Sequence, residues 1–207
     1  MNKKFQKSIL LIYIITLIIS VIGATYAYFT VIKVNATSPK SEITSATSEV
    51  ISFTIDNDLS IFANQYNFQE GMDSLTSKTK ATAYMHFDGG TRVVKHKYDV
   101  ILNIDTNDFV YTTDYEKPEL VLTILDPNGE AVTTIEGLEY IDGGFDITKK
   151  TGKYYIAKEY PLETAGEVTQ DWNIKVTFVN LESIQDVNNH KTLTGHVTIE
   201  RSLNDNK

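Results

Sequence analysis

The feature that most constrains this chain is an uncharged, strongly apolar segment near its start. Lys3, Lys4 and Lys7 form a small positive head, and residues 8–29 contain no charged side chain. A helix of about 20 apolar residues is long enough to cross a hydrocarbon core roughly 30 Å thick. The segment at 1–29 therefore predicts one N-terminal apolar helix, which is either an export signal peptide or a transmembrane anchor.

The two interpretations differ at the distal end of the segment. The tripeptide Thr-Tyr-Ala that ends at Ala27 places small residues where a signal peptidase needs them, so the predicted cut lies between Ala27 and Tyr28. Without cleavage, the aromatic residues here suit the interface of a membrane. A buried helix of a soluble domain is disfavoured, because a helix that is apolar all round rarely ends a small domain.

Both favoured interpretations give the same topology. The lysine head stays in the cytoplasm, so the remainder of the chain lies outside. We expect an extracellular or cell-surface protein that contacts the membrane through residues 8–29 before cleavage, or permanently if the signal is not cleaved. A signal peptidase is then a predicted partner.

Residues 24–29, Ala-Thr-Tyr-Ala-Tyr-Phe, resemble the signal ending of the TasA/camelysin family of exported bacterial proteins, which a SipW-type signal peptidase processes. The family pattern often continues with Ser or Asn and then Asp, where this chain has Thr30-Val31-Ile32. The resemblance covers about the first thirty of 207 residues. It implies an exported β-sandwich, often a fibre subunit of the biofilm matrix.

Composition excludes several classes of protein. The chain has a net charge of −8, and its first 27 residues hold three lysines and no acids, so the rest carries −11. An acidic body repels phosphate groups, so no nucleic acid is expected as a partner. The chain has no cysteine, which excludes disulfides, thiolate metal sites and cysteine catalysis.

The remaining chain divides into two parts. Residues 30–49 are rich in Ser, Thr, Ala and Lys without periodicity, which predicts a polar linker: a tether above a membrane, or an arm that reaches a neighbour. From residue 50 onward, apolar residues alternate with polar ones in short runs that end at turn formers. Nine or ten short strands and no long helix predict an antiparallel β-sandwich over residues 50–207.

Four local predictions can be compared directly with a structure. Residues 59–77 lack a clean period and predict a loop or short helix. The turn sequence Asp-Pro-Asn-Gly at 126–129 predicts a hairpin in which residues 131–135 return beside 120–125. Asp-Gly-Gly at 142–144 predicts a second hairpin. Trp172 lies on the apolar face of the strand 172–180, so it is expected in the core.

The residues that can bind metals give weak patterns. His86, His96, His190 and His196 do not form a His-Glu-x-x-His motif, although His86 and His96 are expected on facing or adjacent strands. Two acidic loops are candidates for calcium, Asp105/Asn107/Asp108 and Asp186/Asn188/Asn189, but neither has the spacing of an EF-hand. Such clusters are more often turn formers, so no metal or other cofactor is predicted.

No catalytic motif is present in the sequence. Gly-x-Ser-x-Gly and phosphate-binding glycine loops are absent, and 27 acids do not single out a glycosidase pair. We therefore predict that the protein is not an enzyme; a secreted hydrolase is the least favoured alternative. A spontaneous Lys–Asn isopeptide bond is a further alternative, but the sequence does not favour Lys175 and Asn180 over other pairs.

Aromatic residues offer one further candidate surface. Several tyrosines form either a binding face or, as the favoured interpretation, cross-strand pairs that stabilise a sheet. They are Tyr111, Tyr115, Tyr140, Tyr154 and Tyr155.

Taken as a whole, the sequence predicts an exported structural or interaction protein of the cell surface or extracellular matrix. One form of such a protein is a fibre subunit that self-assembles by strand addition. The alternative is a single-pass anchored ectodomain that binds a partner or a glycan.

Overall fold

The computed structural model describes residues 41–44, 49–68, 72–88, 92–112, 116–181 and 183–202. The predicted apolar helix, the candidate cleavage site at Ala27 and Tyr28, and most of the predicted linker lie outside these residues. Within the described ranges, no helix is long and apolar enough to cross a membrane.

Eleven strands and one short 3₁₀ helix follow one another along the described residues. In chain order they are β1 (Ser41–Thr44), β2 (Glu49–Ile55), β3 (Leu59–Phe62), β4 (Leu75–Phe87), β5 (Val94–Asn107), β6 (Leu120–Leu125), β7 (Glu139–Ile141), β8 (Gly144–Asp146), β9 (Gly152–Thr164), β10 (Glu167–Phe178), the 3₁₀ helix η1 (Asp186–Asn188) and β11 (Thr192–Arg201).

The strands form two sheets. The larger has the order β1-β2-β4-β10-β6-β8-β7, and the smaller has the order β3-β11-β5-β9. Every strand pair is antiparallel. The apolar faces of both sheets contribute to one buried cluster, so the prediction of an all-β antiparallel sandwich is confirmed.

The core is built around the only tryptophan of the chain. Trp172 on β10 is 2% exposed, which confirms its predicted core position. It lies directly across from Ala81 of β4, and the next inward position of β4 is Ala83; both alanines are fully buried. Small residues beside the indole leave room for the large aromatic rings of the opposite sheet, because protein interiors are close-packed.

The structure corrects two local predictions. Residues 59–62 form β3, with Leu59 and Ile61 buried, where a loop or short helix was predicted. The alternation spans only four residues there, which is too short to stand out in a sequence. The turn at 126–129 brings the chain back beside β6 for two residues only, through a bridge from Ala131 to Leu125 and a hydrogen bond from the N–H of Val132 to the carbonyl oxygen of Ile124; residues 131–135 do not form a strand. The side of β6 that faces away from β10 is instead occupied by β8.

The second hairpin is confirmed. β7 and β8 pair on either side of the turn at 142–143, and the ring of Tyr140 packs edge-on against Phe145 with centroids 5.1 Å apart. Gly143 has a φ of +88°, a left-handed conformation that glycine adopts without a steric penalty. The hairpin therefore forms for the reason that the turn sequence indicates.

Candidate functional site

A cleft of about 290 Å³ opens at one end of the sandwich, between two loops. One loop follows β3 and contributes Asn64 and Phe68; the other joins β10 to β11 and contributes Ser183, Ile184 and Asn189. The hydroxyl oxygen of Ser183 is buried and makes no hydrogen bond among the described residues. The cleft therefore offers a partly apolar wall and one unsatisfied polar atom.

Local hydrogen bonds fix the shape of both loops. The side-chain oxygen of Asn64 accepts from the backbone N–H of Tyr66 at 2.8 Å. The side-chain oxygen of Asn67 accepts from the backbone N–H of Asn64 at 2.8 Å. Backbone bonds then join the loops, from Ala63 N–H to the carbonyl oxygen of Lys191 and from His190 N–H to that of Ala63. Asparagine favours such turns because its side chain competes for nearby backbone groups.

Exposed apolar side chains are concentrated in the two segments that contribute to this cleft. Of the eight large apolar residues that are exposed in the described ranges, five lie at the end of β3, between β3 and β4 or between β10 and β11, and Ile184 among them lines the cleft itself. They are Phe62, Tyr66, Met72, Ile184 and Val187. Single exposed apolar residues are common on proteins, but a concentration of them at one end is typical of an interaction surface.

A buried carboxylate lies next to the loop of residues 183–191. Glu119, which immediately precedes β6, is 0% exposed. One carboxylate oxygen, Oε1, accepts from both the backbone N–H of Thr112, at 2.8 Å, and the Thr112 hydroxyl. The other oxygen, Oε2, accepts from the side-chain amide of Gln185. These three donors satisfy a charge that would otherwise be costly to bury.

Both the carbonyl oxygen and the NH₂ group of the Gln185 carboxamide are hydrogen-bonded. Its carbonyl oxygen accepts from the backbone N–H of Leu181 at 2.9 Å. Its NH₂ group donates to the carbonyl oxygen of Val179 at 3.0 Å as well as to Glu119. Because Val179 and Glu119 both present acceptors, the nitrogen must face them, which fixes the orientation of the amide.

A second buried amide joins the same loop to the chain that follows β5. Asn188, 1% exposed in η1, accepts from the backbone N–H of Val110 at 2.9 Å and donates to the carbonyl oxygen of Val110 at 2.8 Å. The side-chain amide of Asn188 thus makes the two hydrogen bonds with the Val110 backbone, one accepted and one donated, that a residue of a neighbouring strand would make. This placement removes Asn188 from the calcium loop that the sequence suggested.

The other calcium candidate is also occupied by structural contacts. The Asn107 side chain donates to the carbonyl oxygens of Ile147 and Lys150, at 2.8 and 2.9 Å. Asp105 lies 2.9 Å from a ring nitrogen of His196. Among the residues that the structure describes, no group of three or more His, Asp or Glu side chains is arranged to hold a metal ion.

The remaining histidines lie on different elements of the fold. His86 lies on β4 in the larger sheet and His96 on β5 in the smaller one, where His96 contacts Glu49 and Arg201. The ring of His190 packs near Phe62 beside the cleft. The predicted proximity of His86 and His96 does not produce a shared site in the described residues.

The tyrosines singled out in the sequence lie in several parts of the fold, with Tyr154 and Tyr155 consecutive on β9. Tyr111 donates to Asp146 at 2.8 Å, and Tyr154 donates to the carbonyl oxygen of Thr151 at 3.0 Å. The ring of Tyr155 lies beneath two lysine side chains. Tyr115 lies outside the described residues. The described tyrosines therefore make separate local contacts rather than one binding face.

Isopeptide candidates are likewise separated. Lys175 lies within β10 opposite Thr123 and Lys78, whereas Asn180 lies beyond the strand and donates to the carbonyl oxygen of Met72 at 2.7 Å.

The residues that reasoning from the sequence missed are Thr112, Glu119 and Gln185. They carry no local signal, because Gln185 is 66 positions from Glu119 and only the fold brings them together.

No protein-family model matches this chain, and no curated protein matches it either.

Proposed function

We propose that this protein is an exported structural or interaction protein of the cell surface or extracellular matrix, and that its subunits join by strand addition. The lysine head, the apolar segment at 8–29 and the candidate cut between Ala27 and Tyr28 support export. The observation that carries the assembly proposal is the edge of the larger sheet, where a short N-terminal strand partly covers a longer one.

The longer strand is β2, which has seven residues and lies next to the edge strand β1. It is covered by β1, which has four residues and pairs with residues 50–53 alone. A strand edge presents unpaired backbone groups that any extended segment can satisfy. If the β1 of one subunit pairs with the β2 of the next, the same backbone hydrogen bonds form between chains, as in a domain swap.

The other three edges of the described sheets are poor sites for addition. β3 and β7 have only four and three residues. β9 is long, but it contains Pro161, register shifts against β5, and a left-handed residue, Glu159, with a φ of +50°. Proline, bulges and charged residues are the means by which proteins protect sheet edges. Addition is therefore directed to β2.

The absence of native cysteine permits a direct test by disulfide trapping. Ile43 and Ile51 are register partners in β1 and β2. An Ile43→Cys chain mixed with an Ile51→Cys chain should give covalent dimers on oxidation, because each Cys can meet its partner only across two molecules. Ile43→Cys mixed with Gly166→Cys, in the turn before β10, is the matched control.

The result that contradicts assembly is a protein that stays monomeric at high concentration, forms no fibres and gives no more dimer than the control. Ile43→Pro provides a second variant, because proline removes the backbone donor from β1. It should reduce fibre or oligomer formation, whereas Ile43→Val should not.

Export is tested separately, by the N-terminal sequence and mass of the native protein from membranes and from culture supernatant. A start at Tyr28 in the supernatant or matrix supports a cleaved signal and a released subunit. A start at Met1 or Asn2, found in the membrane alone, supports the anchored alternative.

The anchored ectodomain remains the second candidate, and the cleft is the observation that favours it. Ile184 is 76% exposed at its edge, and the unsatisfied Ser183 hydroxyl lies within it. A photo-crosslinking residue at position 184 should capture a partner in intact cells. The same residue at Glu136, an exposed site with 89% side-chain exposure, is the control. Equal capture at both positions would remove the support for a specific cleft partner.

A further inference from the structure

We propose that Thr112 and Gln185 become joined by an intramolecular ester bond, with Glu119 as the group that transfers the proton. The inference goes beyond the assembly proposal and does not depend on it. It rests on the fully buried Glu119, which hydrogen-bonds to Thr112, seven positions earlier in the chain, and to Gln185, 66 positions later. Together they carry the groups required for acyl transfer: a hydroxyl, a carboxylate and a carboxamide.

The two reacting groups are held by the two oxygens of one carboxylate. The Thr112 hydroxyl donates to Oε1 of Glu119, and the Gln185 amide donates to Oε2. The backbone N–H of Thr112 also donates to Oε1, at 2.8 Å, which positions this threonine relative to the carboxylate. A hydroxyl is a weak nucleophile until an adjacent base removes its proton, and Glu119 is placed to do so.

The carbonyl carbon of Gln185 is prepared for attack. Its oxygen, Oε1, accepts the backbone N–H of Leu181 at 2.9 Å. Negative charge develops on this oxygen when a nucleophile adds, and a fixed N–H donor stabilises that charge. The nitrogen that must leave faces Glu119, so the carboxylate that takes a proton from Thr112 is also placed to deliver one to the leaving group.

Burial shields the carboxylate, but it does not shield every reacting group from water. Glu119 is 0% exposed and Gln185 is 7% exposed, whereas Thr112 is half-buried and Gln185 lines the cleft, so Thr112 competes with water as the acyl acceptor. Proximity of this kind replaces a bimolecular encounter by an intramolecular one, which accelerates well-oriented reactions by large factors.

The reaction balances without any added reagent. Oγ1 of Thr112 loses its proton to Glu119 and bonds to Cδ of Gln185. The tetrahedral intermediate then collapses, the Cδ–Nε2 bond breaks, and Glu119 returns the proton to the leaving nitrogen. Ammonia departs and the carboxylate is regenerated. Because ammonia is protonated in water and diffuses away, the step proceeds in one direction.

Such an ester bond would give this chain, which has no cysteine, a covalent cross-link that a disulfide cannot provide here. It would fasten the loop at 183–191 to the segment after β5 and enclose the strands from β6 to β10 in a covalent ring. A cross-link of this span restricts the unfolded chain, which is how disulfides stabilise exported proteins. The loop that lines the cleft would then be held covalently.

The decisive measurement is mass spectrometry of tryptic peptides from the full chain. Trypsin does not cut between Lys117 and Pro118, so Thr112 lies in peptide 98–149, and Gln185 lies in peptide 176–191. We expect these peptides as one linked species that is lighter than their sum by one ammonia. Alkaline hydroxylamine cleaves esters and should release peptide 176–191 from the linked species; because it also cuts Asn–Gly bonds such as Asn128-Gly129, the released peptide 176–191 is the readout.

Matched variants identify the side chains that form the ester bond and transfer the proton. Thr112→Val removes the nucleophile at nearly constant volume and should abolish the link, whereas Thr112→Ser should retain it. Glu119→Gln should slow its formation at least tenfold; Glu119→Asp takes its place if that variant is insoluble. Thr79→Val is the control, since this buried hydroxyl on β4 accepts from the backbone N–H of Asn57 and is hydrogen-bonded to none of the three residues of the proposal.

Three results would overturn the proposal. Peptides 98–149 and 176–191 that separate fully from folded protein would mean hydrogen bonds alone. A peptide 176–191 in which Gln185 has become Glu without a cross-link would mean that water is the acceptor. A link that persists in Thr112→Val would assign the bond to another residue.

Discussion

The indole N–H of Trp172 donates a hydrogen bond to the hydroxyl of Tyr98 at 2.9 Å, joining the two sheets inside the core. Tyr98 is fully buried and in turn donates to the side chain of Gln170 at 2.8 Å. Tyr160 packs edge-on against the same indole with centroids 4.9 Å apart. The aromatic core therefore contains a polar chain whose members satisfy one another.

Removing the hydroxyl of Tyr98 should lower the stability of the fold. Tyr98→Phe leaves the indole N–H and the Gln170 carbonyl oxygen without this partner, so we expect the free energy of unfolding to fall by about 1–3 kcal/mol. Urea denaturation followed by the fluorescence of the single tryptophan measures it. Tyr155→Phe, on the surface of β9, is the control and should change stability by less than about 0.5 kcal/mol.

Alkaline pH should destabilise the fold through the same residue. Burial raises the pKa of Tyr98, the hydrogen bond from Trp172 partly offsets this, and neighbouring Tyr160 adds to the rise. The folded state therefore holds this proton more tightly than the unfolded chain, whose tyrosines titrate near about 10. The contribution is fully present below about pH 10 and is lost as the pH rises above it.

Burial also raises the pKa of Tyr111, and its hydrogen bond to Asp146 acts in the same direction. Urea midpoints measured from about pH 8 to pH 11 should fall at the alkaline end, and the fall should be shallower in Tyr98→Phe than in Tyr155→Phe. Equal slopes in the two variants would show that Tyr98 does not cause the alkaline loss of stability.

Gly195 should not tolerate a side chain. It lies at a bulge between β11 and β5, where a Cβ would stand 2.6 Å from the carbonyl oxygen of Asn103. Gly195→Ala must therefore push two backbones apart, and we expect a loss of about 1–3 kcal/mol. Gly166→Ala is the control, because nothing lies within 4 Å of its Cβ position. Thermal unfolding of both variants measures the difference.

Asn188 should hold the cleft loop in place. Asn188→Ala leaves the backbone N–H and carbonyl of Val110 without their side-chain partners, so a loss of about 1–3 kcal/mol is expected. Hydrogen exchange at the Val110 amide should accelerate. Asn189→Ala, at an exposed neighbouring position, should leave that exchange unchanged. If both variants exchange alike, Asn188 does not protect this amide.

Assembly should be sensitive to a strand breaker in β1. Ile43→Pro should lower the fraction of oligomer or fibre in sedimentation and electron microscopy, since proline cannot donate to the β2 ladder. The monomer should keep its tryptophan fluorescence, because β1 lies at the end of the sheet. Unchanged assembly in this variant would show that β1 does not carry the contact between subunits.

Much of the fold could be predicted from the sequence. Alternation at 98–105, 120–125 and 172–178 identified strands with one buried face, and the Asp-Gly-Gly turn identified the β7–β8 hairpin. The sequence did not reveal β3 or the loss of the expected strand at 131–135. A four-residue alternation is too short to recognise, and the choice between β8 and 131–135 beside β6 depends on long-range pairing.

The sequence by itself determined the fold class and the apolar N-terminal segment, because the period of apolar residues and the length of an uncharged run are local properties. Only the tertiary structure decided that Thr112, Glu119 and Gln185 meet, and that β2 lies near an edge that only β1 covers. These relationships follow from the order and register of strands distant in the chain. Whether a carboxylate is buried, and which groups it contacts, is therefore settled only when the two sheets pack.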